Sequence, residues 1–130
     1  MNLDQAIGRE LVRDYYVSED HTAMKIGSGD VNVLATPSMI LFMEETAKIL
    51  LQEFLGQRFI TVGTKICVDH KRAVIPGEVI SVKAKVESIV KKRVLLKVIA
   101  MYQGFVIGEG EHERYVVDKE TFNQKIMEAR

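Results

Sequence analysis

The chain has a single cysteine, Cys67. No disulfide framework can form within it, and a lone cysteine in an apolar strand reads as a small core residue. A surplus of either charge is also missing, because 18 lysines and arginines stand against 18 aspartates and glutamates. Nucleic-acid binding draws on surplus cation to displace counterions, so that class is set aside. No apolar run approaches the roughly 20 residues of a membrane helix. The opening "MNLDQAIGRELVRDYY" has no basic segment followed by an apolar one. Neither a signal peptide nor a membrane span is expected, and the cytoplasm is the default location. His21, His70 and His112 stand far apart, without the close spacing of metal ligands, so no metal and no cofactor is expected. "GSG" is too short for a phosphate loop, and Gly-x-Ser-x-Gly does not occur.

The chain is 130 residues long and 47% hydrophobic, which suits one domain, 1–130, with one core. Repeats, linkers and low-complexity tracts are absent. Gly8 to Val17 reads as a strand, "SEDHTAMK" as a turn or short helix, and residues 27–32, "GSGDVN", as a loop. Thr36 is a good N-cap and Pro37 suits the first helical position. The helix is expected to run from Pro37 to Leu55, with Gly56 after its end. Strands follow at 59–74, 78–90, 93–102 and 105–117, with a turn at Pro76-Gly77. From Asp118 the tail reads as a short polar helix. One strand, one helix and four strands joined by short turns imply an α+β chain. Its antiparallel sheet of about five strands wraps around one long central helix, the hotdog arrangement. Such a layer leaves a sheet edge and a helix flank open, so a homodimer, or a tetramer built from it, is expected.

The helix carries adjacent carboxylates in "ILFMEETA". With Met39 at zero and about 100° per residue, the apolar arc runs from roughly 20° to 120°. Glu45 falls near 240°, in the polar sector, and reads as a solvated charge. Glu44 falls near 140°, between Leu51 and Leu55. It is either one half of an i, i+4 pair with Lys48 or a partly desolvated carboxylate whose raised pKa suits a general base. Thr36 caps the helix in the ordinary reading. In the functional one it sits beside unpaired N–H groups that favour an oxyanion. His70 closes the long strand on one face with Val62, Thr64, Ile66 and Val68. Lys71 and Arg72 follow it; such a pair is ordinarily solvated, and beside a site it could meet a phosphorylated ligand. In the last strand Glu109, Glu111 and Glu113 share one face, while Gly108, Gly110, His112 and Arg114 share the other. The glycines suggest close approach to another backbone, such as the helix, and Arg114, turned inward, needs a carboxylate or an anionic ligand.

Together "VLATPSMILFMEETA", "TVGTKICVDH", "PGEVISVKAKV" and "GEGEHERYVVD" resemble the hotdog-fold thioesterases of the fluoroacetyl-CoA thioesterase type. The likeness covers about Gly8 to Phe122. The resemblance implies hydrolysis of an acyl-CoA to a carboxylic acid and free CoA, with Thr36, Glu44 and His70 as the catalytic set. It also implies Gly63 beside the acyl group and Arg114 holding substrate. CoA is then part of the substrate and no separate cofactor is needed. The fluoroacetyl specialist carries bulky aromatics ahead of the helix where this chain has "GSGDVN", so only the reaction class carries over.

In the expected mechanism Thr36, or a water it holds, attacks the thioester and His70 moves the proton. Glu44 orients His70 or acts as base or nucleophile. Eight helical residues place Thr36 and Glu44 about 12 Å apart along the axis, so a site shared between two protomers is expected. The alternative is a non-catalytic acyl-CoA or acyl-carrier sensor on the same fold. A hydratase would need the neighbours Asp69 and His70 on one face, which strand alternation forbids.

Overall fold

A computed structural model describes residues 1–130. Five strands run β1 (Glu10–Tyr16), β2 (Phe59–His70), β3 (Val79–Val90), β4 (Arg93–Tyr102) and β5 (Phe105–Asp118). Three helices accompany them: α1 (Ala23–Ile26), α2 (Thr36–Gln52) and α3 (Lys119–Glu128). The strands form one antiparallel sheet in the order β1-β3-β4-β5-β2. The hotdog arrangement and the strand count are as the sequence implied. A short 3-10 turn at Leu3–Ala6, which was not expected, buries Leu3 and Ala6 in the hydrophobic core.

Alternation builds the sheet. Along β3, Ile80, Val82, Ala84 and Val86 are buried, and along β4 Val94, Leu96, Val98 and Ala100 are, so every second residue faces α2. The β4–β5 connection is the two-residue turn Gln103-Gly104, both with positive φ (48° and 80°). That is the turn whose twist matches a hairpin. Helix α2 packs on β1, β2, β3 and β4. Its buried stripe holds Ser38, Met39, Phe42, Met43, Thr46, Ala47, Leu50 and Leu51. The stripe is centred on Met39, so the expected apolar arc was turned too far from Phe42 and Thr46. Each large side chain on it contributes about 1.5–3 kcal/mol by burial.

Several boundaries differ from expectation. Ala35, not Thr36, occupies the N-cap position, without a side-chain cap bond. Thr36 is the first helical residue, and its hydroxyl is used elsewhere. The helix ends at Gln52, where the backbone tightens into turns, with Phe54 N–H donating to the Leu51 carbonyl (3.0 Å) and Leu55 N–H to the Gln52 carbonyl (3.3 Å). The Gln52 side-chain amide holds the exit segment through the carbonyls of Gly56 (2.9 Å) and Phe59 (3.0 Å). Strand β2 ends at His70 rather than residue 74, since the N–H groups of Lys71 and Arg72 both turn to the carbonyl of Ile107. Cys67 is exposed on the outer face, not in the core.

The largest correction is a β-bulge in β2. Gly63 pairs with Arg114 and Lys65 with Glu113, leaving Thr64 as an extra residue. One inserted residue reverses the alternation. Ile66, Val68 and His70 therefore share the inner face with Thr61 and Gly63, whereas Val62 and Thr64 do not. Thr64 Oγ1 donates to the Glu113 carbonyl (3.1 Å), holding the bulge to β5.

The β5 glycines are explained by space. A β-carbon on Gly108 would run into the Met39 side chain of α2, and one on Gly110 would overlap the Cys67 carbonyl oxygen of β2. Gly108 thus admits the helix, and Gly110 admits its neighbouring strand. Gly110→Ala is expected to lower the urea midpoint by the equivalent of about 1–3 kcal/mol. Glu111→Ala, beside it on the outer face, should stay within about 0.5 kcal/mol of wild type.

Candidate active site

The helix start and the end of β2 meet. Thr36 Oγ1 lies 2.8 Å from His70 Nδ1, in a depression of about 270 Å³ also lined by Ser28, Val33, Lys71 and Arg72. The other ring nitrogen, Nε2, is enclosed and makes no hydrogen bond. Burial pulls the His70 pKa below its ordinary value, and the Arg72 backbone opposes that shift. Thr36 Oγ1 can donate to a lone pair on Nδ1 or accept from an N–H there, and donation is the arrangement in which Nδ1 can take the hydroxyl proton.

Glu44 belongs to a second cluster in the same chain. It makes no pair with Lys48. Its Oε2 lies 3.7 Å from Arg114 Nη1, with the glutamate side chain 40% exposed and the arginine side chain 7%. Arg114 turns inward, as alternation implied. Its Nε donates to Thr61 Oγ1 (2.8 Å), Nη2 to the Thr61 carbonyl (3.1 Å) and Nη1 to His112 Nε2 (3.1 Å). Burial presses its pKa down, and the Glu44 charge opposes that. Gly63 lies against this cluster. A β-carbon there would stand 2.9 Å from Glu44 Oε2, 3.3 Å from Arg114 Nη1 and 3.4 Å from His112 Cε1. The absence of a side chain at 63 is what leaves room for the carboxylate.

Of the expected residues, the structure thus joins Thr36 to His70 and, apart from them, Glu44 to Gly63 and Arg114. Lys71 pairs with Glu109 (2.9 Å) on the outer rim. Arg72 has no carboxylate partner, and its guanidinium lies 4.1 Å over the Phe105 ring. Glu45 is the surface charge it was read as, held by the Tyr15 hydroxyl (3.1 Å) and within 3.9 Å of Arg13. His112 is the residue the sequence reading passed over. It was placed on the face of Arg114 but weighed for a role only as a metal ligand; it is buried on that inner face two residues before Arg114. Its place in the alternation with Arg114 was the available signal. No group of three or more metal-ligating side chains is assembled, and no helix is long and apolar enough to cross a membrane.

Residues 17–120 match the family described as fluoroacetyl-CoA-specific thioesterase. The chain belongs to that family, and it is a thioesterase. The fluoroacetyl-CoA thioesterase of Streptantibioticus cattleyicolor is 34% identical over 96 residues, covering 74% of this chain and 69% of that one. The solved structure of the fluoroacetyl-CoA thioesterase FlK superposes with a TM-score of 0.87 at 28% identity, covering 95% of this chain and 96% of the other. A thioesterase-superfamily protein of Thermus thermophilus gives a TM-score of 0.87 at 26% identity, covering 95% and 91%. A hot-dog-like protein from Thermanaerovibrio acidaminovorans, at 20% identity and a TM-score of 0.90 over 99% and 97%, shares the fold.

His112, like His70, is held below the ordinary histidine value of 6.5, first by burial. The unfolded chain therefore binds more protons than the folded one below that value. Stability from these rings is complete above it and is lost as pH falls through the folded pKa values. Urea unfolding of this thioesterase should show falling stability from pH 7.5 to pH 5.5. The slope should be shallower in His112→Gln; an equal slope would remove His112 from the acid response.

Proposed function

We propose that the chain hydrolyses acyl-CoA thioesters at a site shared by two protomers, with Thr36 and His70 from one and Glu44 from the other. The observation that carries this is the Thr36–His70 hydrogen bond at the start of the only long buried helix. Burial favours the neutral ring, and with its proton on Nε2 the ring takes the hydroxyl proton at Nδ1 as Thr36 attacks the thioester carbonyl. The oxyanion is met by the free N–H groups of Thr36 and Ser38; Pro37 has none. The C–S bond then breaks, and the imidazolium returns its proton to the CoA sulfur. Water, deprotonated by the partner's Glu44, attacks the threonine ester; the acyl C–Oγ bond breaks to free the acid, and the proton held by Glu44 goes back to the Thr36 oxygen. With His70 Nε2 closed off by its own chain, a direct role for Glu44 as base is favoured over orienting the imidazole.

Two features favour a dimer. Strand β2, twelve residues long, is a sheet edge with β5 as its single neighbour. An unpaired edge of that length invites a second copy. Beside it Leu41, 56% exposed, lies on the helix flank with the half-exposed Glu44. Antiparallel pairing of two such edges sets the helices side by side, bringing one helix start towards the middle of the other. The loop over the Thr36–His70 depression carries Ser28 and Val33. With no aromatic lid there, fluoroacetyl selectivity is not proposed. Lys71 and Arg72 supply cations for CoA phosphates, and Phe105, 55% exposed under Arg72, gives the adenine a surface on which to stack.

A thiol-release assay with short acyl-CoAs tests the reading. Glu44→Gln should lose about 10²-fold or more in kcat. Mixing inactive Thr36→Ala and Glu44→Ala chains should recover activity, because each mixed dimer keeps one intact shared site; no recovery would place the site within one chain. CoA bound but never released from a thioester would indicate the sensor instead. Arg72→Ala should raise KM for an acyl-CoA by about tenfold and leave an acyl-pantetheine substrate, which lacks the nucleotide, unaffected. Equal effects on both substrates would remove Arg72 from nucleotide binding.

A further inference from the structure

One buried titratable side chain takes no part in that mechanism. His112 is 1% exposed and lies between the bulge of β2 and the guanidinium of Arg114. Its two ring nitrogens face partners that can each play one role only. Nδ1 lies 2.8 Å from the carbonyl oxygen of Lys65, the residue that closes the bulge; a carbonyl can only accept, so Nδ1 carries the proton. Nε2 lies 3.1 Å from Nη1 of Arg114; a guanidinium can only donate, so Nε2 carries the lone pair. Both contacts demand the same tautomer, and both demand a neutral ring.

We infer that His112 is a positioning residue for Glu44, fixing through Arg114 the direction in which that carboxylate faces. The chain of contacts is continuous. The bulge presents the Lys65 carbonyl, the carbonyl sets the tautomer, and the tautomer gives Arg114 Nη1 an acceptor. Thr61 then holds Nε and Nη2 through its hydroxyl and its carbonyl. With its fork held on three sides, the guanidinium presents Nη1 to Glu44 Oε2 across 3.7 Å. Gly63 keeps the space between them open. At 3.7 Å the pair is an ion pair without a close hydrogen bond, so Glu44 keeps acceptor capacity for a proton from water. The charged groups acting on His112 are Arg114, Glu44 and, from the outer face of β5, Glu113. Protonation of the ring would set an N–H against the Arg114 N–H and drive the guanidinium off Glu44.

This inference rests on the proposed role of Glu44, and two substitutions separate its parts. An asparagine amide nitrogen stands where Nδ1 stood, so His112→Asn keeps the bond to Lys65 and loses the acceptor for Arg114. A glutamine amide oxygen reaches the place of Nε2, so His112→Gln keeps that acceptor. With acyl-CoA as substrate, Asn is expected to lose about 10-fold or more in kcat, in line with the cost of a small misplacement. KM should hardly change, and Gln should stay within about 3-fold of wild type. Equal losses in both variants would overturn the inference. Nitrogen-15 spectra of the wild-type ring give a readout independent of turnover and of the variants' folding. At pH 7.5 the His112 ring should be neutral with its proton on Nδ1; a proton on Nε2, or a charged ring, would overturn the inference. If the wild type cleaves no thioester, the functional reading falls, while the ring spectrum still decides the contact chain.

Discussion

One extra residue in β2 orders the inner face of the molecule. In an uninterrupted strand Gly63 and His70, seven positions apart, would point to opposite sides of the sheet. The bulge at Thr64 turns both inward. Gly63 then lies beneath Glu44 and Arg114, and His70 reaches Thr36 at the helix start. The bulge also presents the Lys65 carbonyl to His112. Helix position, carboxylate pocket and imidazole are thus tied to one local irregularity. A strand without it would turn either Gly63 or His70 away from the helix.

The two clusters differ in electrostatics. The Thr36–His70 pair is partly desolvated, which favours the uncharged ring that a base needs. The Glu44–Arg114 pair is charged and asymmetric, with a buried guanidinium facing a half-exposed carboxylate. Burying a guanidinium is costly unless its donors are used. Here Thr61 and His112 use most of them, so the charge is retained without a tight carboxylate contact. Separation of the clusters within one chain and the unpaired β2 edge are the two observations behind the proposed second protomer.

Much of this was legible in the sequence. Period-two alternation placed β3 and β4 and turned Arg114 inward, because each residue in a regular strand alternates strictly. Thr-Pro marked the start of α2, and the helical wheel separated Glu44 from the solvated Glu45. The bulge was not read: Gly63 inside "TVGTKICVDH" is a local signal for one, but which residue is extra is set by the pairing of β2 with β5, and the face assigned to Val62 and Thr64 was wrong for that reason. The N-cap role expected of Thr36 failed because a tertiary partner, His70, takes the hydroxyl in place of the helix's own N–H groups. Cys67 followed strand alternation to the outer face instead of composition to the core. His112 was passed over because its partners lie 47 residues away at Lys65 and two residues away at Arg114, and only the fold joins them.

The most direct measurement is a crystal structure of the Glu44→Gln protein with a bound acyl-CoA. The account predicts a symmetric dimer joined along β2. The thioester carbonyl carbon should lie within attacking reach of Thr36 Oγ1 of one protomer and beside the substituted side chain at position 44 of the other. A thioester bound away from Thr36, or one contacting residues 36, 44 and 70 of a single chain, would contradict it.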